Sequence, residues 1–115
     1  MDHQAKALEA FKKLRLNCAQ SVLHAFQNEM KIDEQRIAAF KSKGGGRAEG
    51  GLCGALHAAL ELAETQGAKG HIGAKFIERA GSDKCREIKS AGSLSCEACV
   101  GLAARLLAES RNPRS

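Results

Sequence analysis

Leu52-Cys53-Gly54-Ala55-Leu56-His57-Ala58-Ala59-Leu60-Glu61-Leu62-Ala63-Glu64-Thr65-Gln66 sets the helical character of the chain. Leu52, Ala55, Leu56, Ala59, Leu60 and Ala63 recur at the intervals that put side chains on one face of an α-helix. The stretch predicts a helix from about Leu52 to Gln66, with Gly67 as its C-terminal cap. Immediately before it, Gly44-Gly45-Gly46-Arg47-Ala48-Glu49-Gly50-Gly51 is too rich in glycine for regular structure and reads as a loop. Cys53 therefore stands where a glycine-rich loop becomes a helix.

The same periodicity continues on both sides. Asp2 is placed to cap a first helix carrying Ala5, Leu8, Phe11 and Leu14. Asn17 is placed to cap a second, in which Cys18, Val22, Ala25, Phe26 and Met30 share a face. Asp33 opens a short third helix through Ile37 and Phe40. Downstream, a helix is expected from around His71 to Ala80, with Ile72, Phe76 and Ile77 inward and Gly81 at its end. Ser82 or Asp83 caps a short turn through Cys85 and Ile88. Ser93 caps the last helix, whose apolar face is Cys96, Cys99, Val100, Ala103, Leu106 and Leu107. No alternation of apolar and polar residues is sustained and β-branched residues are few, so strands are not expected. The reading is all-α: a single-domain bundle of five to six short helices with a Gly-rich loop. The domain spans residues 1–109, and 110–115, with the only proline (Pro113), form a flexible tail.

The composition restricts what such a bundle can be. Of 115 residues 43% are hydrophobic but only 3% aromatic, so the core must be built from Ala, Leu, Ile, Val and Met. No run approaches the roughly 20 apolar residues of a membrane span. Met1-Asp2-His3-Gln4-Ala5-Lys6 lacks the apolar region of a signal peptide, which makes the cytoplasm the expected compartment. The net charge of +5 is spread out, densest at Lys41, Lys43 and Arg47 and at Arg105, Arg111 and Arg114. With no aromatic platform among these cations, nucleic acid is not an expected partner. An Ala-rich helix face can pack against a second copy, which is compatible with a homodimer.

The chemistry lies with five cysteines, Cys18, Cys53, Cys85, Cys96 and Cys99. In a reducing compartment such a number points to metal or redox work rather than to a disulfide framework. Cys18, Cys53, Cys85 and Cys96 all fall in predicted first turns of helices, where unpaired N–H groups and the helix dipole favour anions. A thiolate so placed is a nucleophile for disulfide exchange and a ligand for a soft metal. The bland alternative is that cysteine fills an Ala-rich core as a small apolar residue. Cys96-Glu97-Ala98-Cys99 is a CxxC, but without a second CxxC a zinc ribbon is disfavoured. The close cysteine run of ferredoxins is missing too.

His57, four residues after Cys53, is a candidate ligand or thiolate partner on the same helix face. His24 points away from the Cys18 face, and His3 and His71 show no partner in the sequence. The glycine-rich loop lacks the GK[ST] of a phosphate-binding loop and follows no strand. It is read instead as a close backbone approach that delivers Cys53.

Asn17-Cys18-Ala19-Gln20-Ser21-Val22, Gly45-Gly46 with Cys53-Gly54-Ala55, Gly81-Ser82-Asp83-Lys84-Cys85-Arg86-Glu87-Ile88 and Cys99-Val100-Gly101-Leu102-Ala103-Ala104 form an ordered set. In this order and with these flanks the sequence resembles the C_GCAxxG_C_C family of redox-active proteins, over residues 8–108. The resemblance implies that Cys18, Cys53, Cys85 and Cys99 are the family cysteines and the candidate catalytic residues. Cys96 is an addition of this chain, and Ala58 stands where the motif's last glycine would. The resemblance implies redox activity through a reversible thiol/disulfide pair. It equally allows an iron–sulfur cluster or another soft metal centre held by the same four sulfurs, with Cys96 or His57 as further metal ligands. On this reading the chain is a thiol-based oxidoreductase or an electron carrier whose redox partner the sequence does not name. The reading from another class is a non-enzymatic helical interaction module with structural cysteines.

Overall fold

The computed structural model describes residues 3–43, 49–63, 65–92 and 94–111. Two expected caps, Asp2 and Ser93, lie outside the described residues, as do 44–48 of the glycine-rich loop and 112–115 of the expected tail. The described residues form eight α-helices: α1 (His3–Lys12), α2 (Cys18–Ala25), α3 (Gln27–Met30), α4 (Glu34–Ala39), α5 (Gly54–Leu62), α6 (Gln66–Ala80), α7 (Cys85–Ala91) and α8 (Cys96–Arg111). Two 3₁₀ turns, Phe40–Lys43 and Glu49–Gly51, complete them. Among the described residues there is no strand, only an isolated antiparallel bridge between Leu52 and Lys84.

The helix count exceeds the expected five to six for two reasons. The second predicted helix breaks at Phe26, whose φ of −107° and ψ of 8° leave the helical region. Phe26 is fully buried, and the His3 ring stacks on it at 4.2 Å while His3 Nε2 hydrogen-bonds Glu29 at 2.8 Å. His3 is thus partnered, contrary to the sequence reading. The second reason is that the expected short turn through Cys85 is a full helix, α7.

Boundaries moved where a cap was misjudged. The helix after Cys53 stops at Leu62, because Ala63 turns extended and Thr65 Oγ1 accepts the Ala68 N–H at 3.0 Å. Thr65 thereby opens α6 at Gln66, well before His71, and Gly67 lies inside that helix rather than capping the previous one. Gly81, with φ +86°, ends α6 as expected. Neither Ser82 nor Asp83 occupies the cap position of α7, which belongs to Lys84. Asn17 and Asp33 cap α2 and α4 with their side chains, as their sequence positions predict.

The core is one connected apolar cluster with Phe26, Leu23, Leu56, Ile72, Phe76, Ile88, Val100 and Leu107 fully buried. α5 lies between α2 and α8, α1 packs on both of those helices, and α6 covers α8 from another side. Small residues let these axes approach: Ala7, Ala10, Ala103 and Ala104 are all inaccessible. Two residues assigned inward by periodicity are outward. Leu14 lies past the end of α1 and is 52% exposed, and Ile77, beside the Ile72–Phe76–Ala80 stripe of α6, is 42% exposed.

Candidate functional site

Cys18 is the first residue of α2, and local hydrogen bonds fix that start. Asn17 Oδ1 accepts the Gln20 N–H at 2.7 Å, and Gln20 Oε1 accepts the Asn17 N–H at 3.2 Å, a reciprocal capping box. The Asn17 amide also donates to the carbonyls of Phe40 and Lys41, tying the turn after α4 to the base of α2.

Cys53 is placed by backbone. Gly50 and Gly51 have φ of +68° and +77°, left-handed values that side chains resist and glycine accepts. They deliver Leu52 to its bridge with Lys84, and Cys53 N–H donates to Asp83 O at 2.8 Å. Ser82 Oγ accepts the Lys84 N–H at 3.1 Å and donates to the Glu87 carboxylate at 2.6 Å. The segment ahead of α7 is therefore held to the segment ahead of α5, which sets Cys85, the first residue of α7, near Cys53.

At the last helix, Ser95 Oγ accepts the Ala98 N–H at 3.1 Å and Ser95 O accepts the Cys99 N–H at 2.9 Å. This places Cys96 at the first position of α8 and Cys99 in its first turn.

The side chains of Cys18, Cys53, Cys85, Cys96 and Cys99 line one cavity, with Ile88, Leu94 and Lys89. The cavity has a volume of about 10 Å³, room for no more than about one water molecule. Cys18, Cys53, Cys85 and Cys99 are 4–8% exposed, Cys96 more so, and none is in a disulfide. The structure thus brings all five cysteines together. It does not bring His57: that ring lies against Phe40, at 5.6 Å between centroids, and only its backbone N–H reaches the Cys53 carbonyl. The reason is that Cys53 precedes the first helical residue, so Cys53 and His57 do not share a helix face. Lys89, one turn after Cys85 on α7, was not anticipated as a cavity residue, although its spacing from Cys85 was visible.

The sulfurs are not equivalent. The Cys99 thiol hydrogen-bonds Cys53 and holds its thiol down at about 7, against the opposing effect of burial. The backbone N–H groups of Leu56 and Ala55, at the start of α5, and the Lys89 ammonium act in the same direction. Cys99 is pushed up, first because it is the donor to Cys53 and then by burial. Cys85 is also pushed up, by burial that outweighs Lys89. A place in a first helical turn is therefore insufficient to favour a thiolate. Cys53 gains one because a second thiol and two N–H groups converge on its sulfur.

Among the described residues, no group of three or more His, Cys, Asp or Glu side chains surrounds a point fit for a metal ion. The five sulfurs therefore stand as the lining of a small cavity and not as a formed metal site.

No helix among the described residues is long and apolar enough to cross a membrane. Comparison with curated proteins and with solved structures finds no match. A family model described as "Putative redox-active protein (C_GCAxxG_C_C)" matches residues 16–110, a span that contains every cysteine of the site. The chain belongs to the C_GCAxxG_C_C family.

Proposed function

We propose that the protein is a thiol–disulfide redox protein in which Cys53 and Cys99 form a reversible disulfide. The observation that carries this reading is the shared cavity in which the Cys99 thiol holds the Cys53 thiol down. It joins a sulfur that ionises near neutrality to a sulfur that keeps its proton, the pair needed for exchange. The Cys53 thiolate attacks one sulfur of an oxidised partner's disulfide brought to the cavity wall, and the other sulfur leaves as a thiolate. Cys99 then attacks Cys53 Sγ, giving up its proton and expelling the second partner thiolate. The partner gains two electrons and the protein retains a Cys53–Cys99 disulfide. Once Cys53 is bonded in the mixed disulfide it bears no charge, and the first cause of the raised Cys99 pKa is gone. Cys18 and Cys85 complete the wall of the cavity.

The test is a thiol titration of the anaerobically purified chain, with peptide mapping across a graded redox buffer. The expected result is a colourless protein that reversibly loses two thiols as Cys53 and Cys99 become linked. A brown protein with stoichiometric iron would replace this reading with the metal centre. Thiols inert in the folded chain, with stability indifferent to reductant, would replace it with a structural role for the cysteines.

A further inference from the structure

Beside the cysteine cavity lies a second, larger hollow. It has a volume of about 750 Å³, within the range of roughly 300–1,000 Å³ typical of small-molecule sites. Gly50, Gly51, Lys84, Arg86 and Lys89 line it together with Cys85. Three cations thus face one carboxylate, Glu87, which is already engaged by the Ser82 hydroxyl at 2.6 Å. Lys84 sits 4.0 Å from Asp83, at the limit of ion pairing. Cys85 and Lys89 are the two residues that line both spaces, so Cys85 is the sulfur between the basic cleft and the buried cysteines.

We propose that the basic cleft receives a small carboxylate-bearing disulfide, and that Cys85 carries the exchange between this substrate and the Cys53–Cys99 pair. The proposal rests on the thiol–disulfide reading above and names its substrate class. Arg86, Lys84 and Lys89 bind the carboxylates and hold a substrate sulfur over Cys85. Cys85 loses its proton to cleft water and attacks that sulfur; the other substrate sulfur leaves as a thiolate. The Cys53 thiolate then attacks Cys85 Sγ across the shared cavity, and the second substrate thiolate departs. Cys99 attacks Cys53 Sγ, and the proton it gives up passes to the departing Cys85 sulfur, which leaves as a thiol. Two electrons have passed from Cys53 and Cys99 to the substrate, which becomes two thiols. The relay explains how a pair enclosed around about 10 Å³ exchanges with anything outside.

The experiment follows oxidation of the reduced full-length chain by dithiodipropionate, which is anionic, and by hydroxyethyl disulfide, which is neutral. Each rate is divided by that of the same disulfide with free mercaptoethanol, to remove intrinsic reactivity. At low ionic strength the normalised rate should favour the anionic disulfide by about 10-fold or more. The preference should collapse with added salt and in the Lys84→Gln/Arg86→Gln variant. Equal normalised rates in the unaltered chain, or a preference indifferent to salt and to the variant, would overturn the proposal. In Cys53→Ser/Cys96→Ser, which also lacks the most exposed thiol, the relay stalls after its first step, and peptide mapping should find the dithiodipropionate adduct on Cys85; an adduct on Cys18 or Cys99 counts against it. If neither disulfide oxidises the chain, the thiol–disulfide reading itself fails, an outcome distinct from the loss of charge preference.

Discussion

The amide of Cys53 donates to the carbonyl of Asp83 at 2.8 Å, and that backbone bond helps bring Cys53 and Cys85, far apart in sequence, into one cavity. The bond stands beside the Leu52–Lys84 bridge, and the Ser82 hydroxyl holds the same segment from the other side. Cysteine geometry here is a property of two loops pinned to each other, more than of the helices that follow them.

Removing the pin should therefore loosen the site before it unfolds the protein. Ser82→Ala deletes the acceptor of the Lys84 N–H and the donor to Glu87, both at exposed positions. The expected cost is about 1 kcal/mol, as for loss of an intramolecular hydrogen bond. Native-state alkylation of Cys85 should accelerate by more than the global stability loss accounts for, because Cys85 begins the helix that Ser82 steadies. Parallel denaturation and alkylation time courses check this. Equal effects on the two would show that the loop is not an independent element.

The ionisation of Cys53 makes a pH-dependent contribution to stability. Its thiol is lowered from 9.0 to about 7 by the Cys99 thiol, the α5 N–H groups and Lys89. A thiol with a lowered folded-state pKa stabilises the fold in its ionised form. The contribution is absent below pH about 7, grows as pH rises, and is complete above the unfolded value near 9.0. Between pH about 6 and about 8 the reduced protein should gain on the order of 1 kcal/mol, a gain that Cys53→Ala abolishes. The raised groups, Cys85 and Cys99, act with the opposite sign, but only at pH above the ordinary thiol value, outside this interval. Cys99→Ala should move the Cys53 ionisation upward, read from thiolate ultraviolet absorbance. An unmoved titration in that variant would remove Cys99 from the account.

Helix α6 carries a stability reserve unconnected with the cysteines. Gly70 lies in its interior, is exposed, and a Cβ built there meets nothing within 4 Å. Gly70→Ala should stabilise the fold by about 0.4–1 kcal/mol, chiefly by restricting the unfolded chain. Gly101 offers the contrast: a Cβ there would stand 3.3 Å from Gln4 Nε2 and 3.5 Å from Leu8 Cδ2, at the α1–α8 contact. Thermal melts of the two variants should differ accordingly, Gly70→Ala shifting upward and Gly101→Ala gaining less or nothing.

What could be read from sequence is what local chemistry decides. Asn17, Asp33 and Gly81 act where they were expected because a cap depends on a few adjacent residues. The start at Cys18 was legible for the same reason, whereas those at Gly54, Cys85 and Cys96 come one or two residues later than expected. Thr65 escaped because the apolar rhythm of the preceding helix runs up to Ala63 and masks the cap that follows. The break at Phe26 escaped because it answers to the His3 ring, which is distant in sequence. His57 was misjudged because one residue of error in a helix start moves a whole face. The proposed pairing of Cys53 with Cys99 was not suggested by spacing, which favours Cys96 as the partner of Cys99; it rests on the cavity that the two share.

Cys96 separates exposure from ionisation as causes of thiol reactivity. It is the first residue of α8, lines the cavity, and is the least buried of the five cysteines, whereas Cys53 is 4% exposed. A neutral alkylating reagent needs both a thiolate and access to it, and around Cys53 the space is about 10 Å³, too little for the reagent to enter. Limited alkylation of the native reduced chain near neutral pH should therefore label Cys96 first, and peptide mapping should find Cys53 protected until the cavity opens. Cys96→Ser should remove the fast phase and leave the reversible loss of two thiols in place, because the proposed disulfide does not use that sulfur. Loss of reversible oxidation in Cys96→Ser would move the redox pair to the CxxC of α8, and the Cys53–Cys99 hydrogen bond would then be only a packing contact.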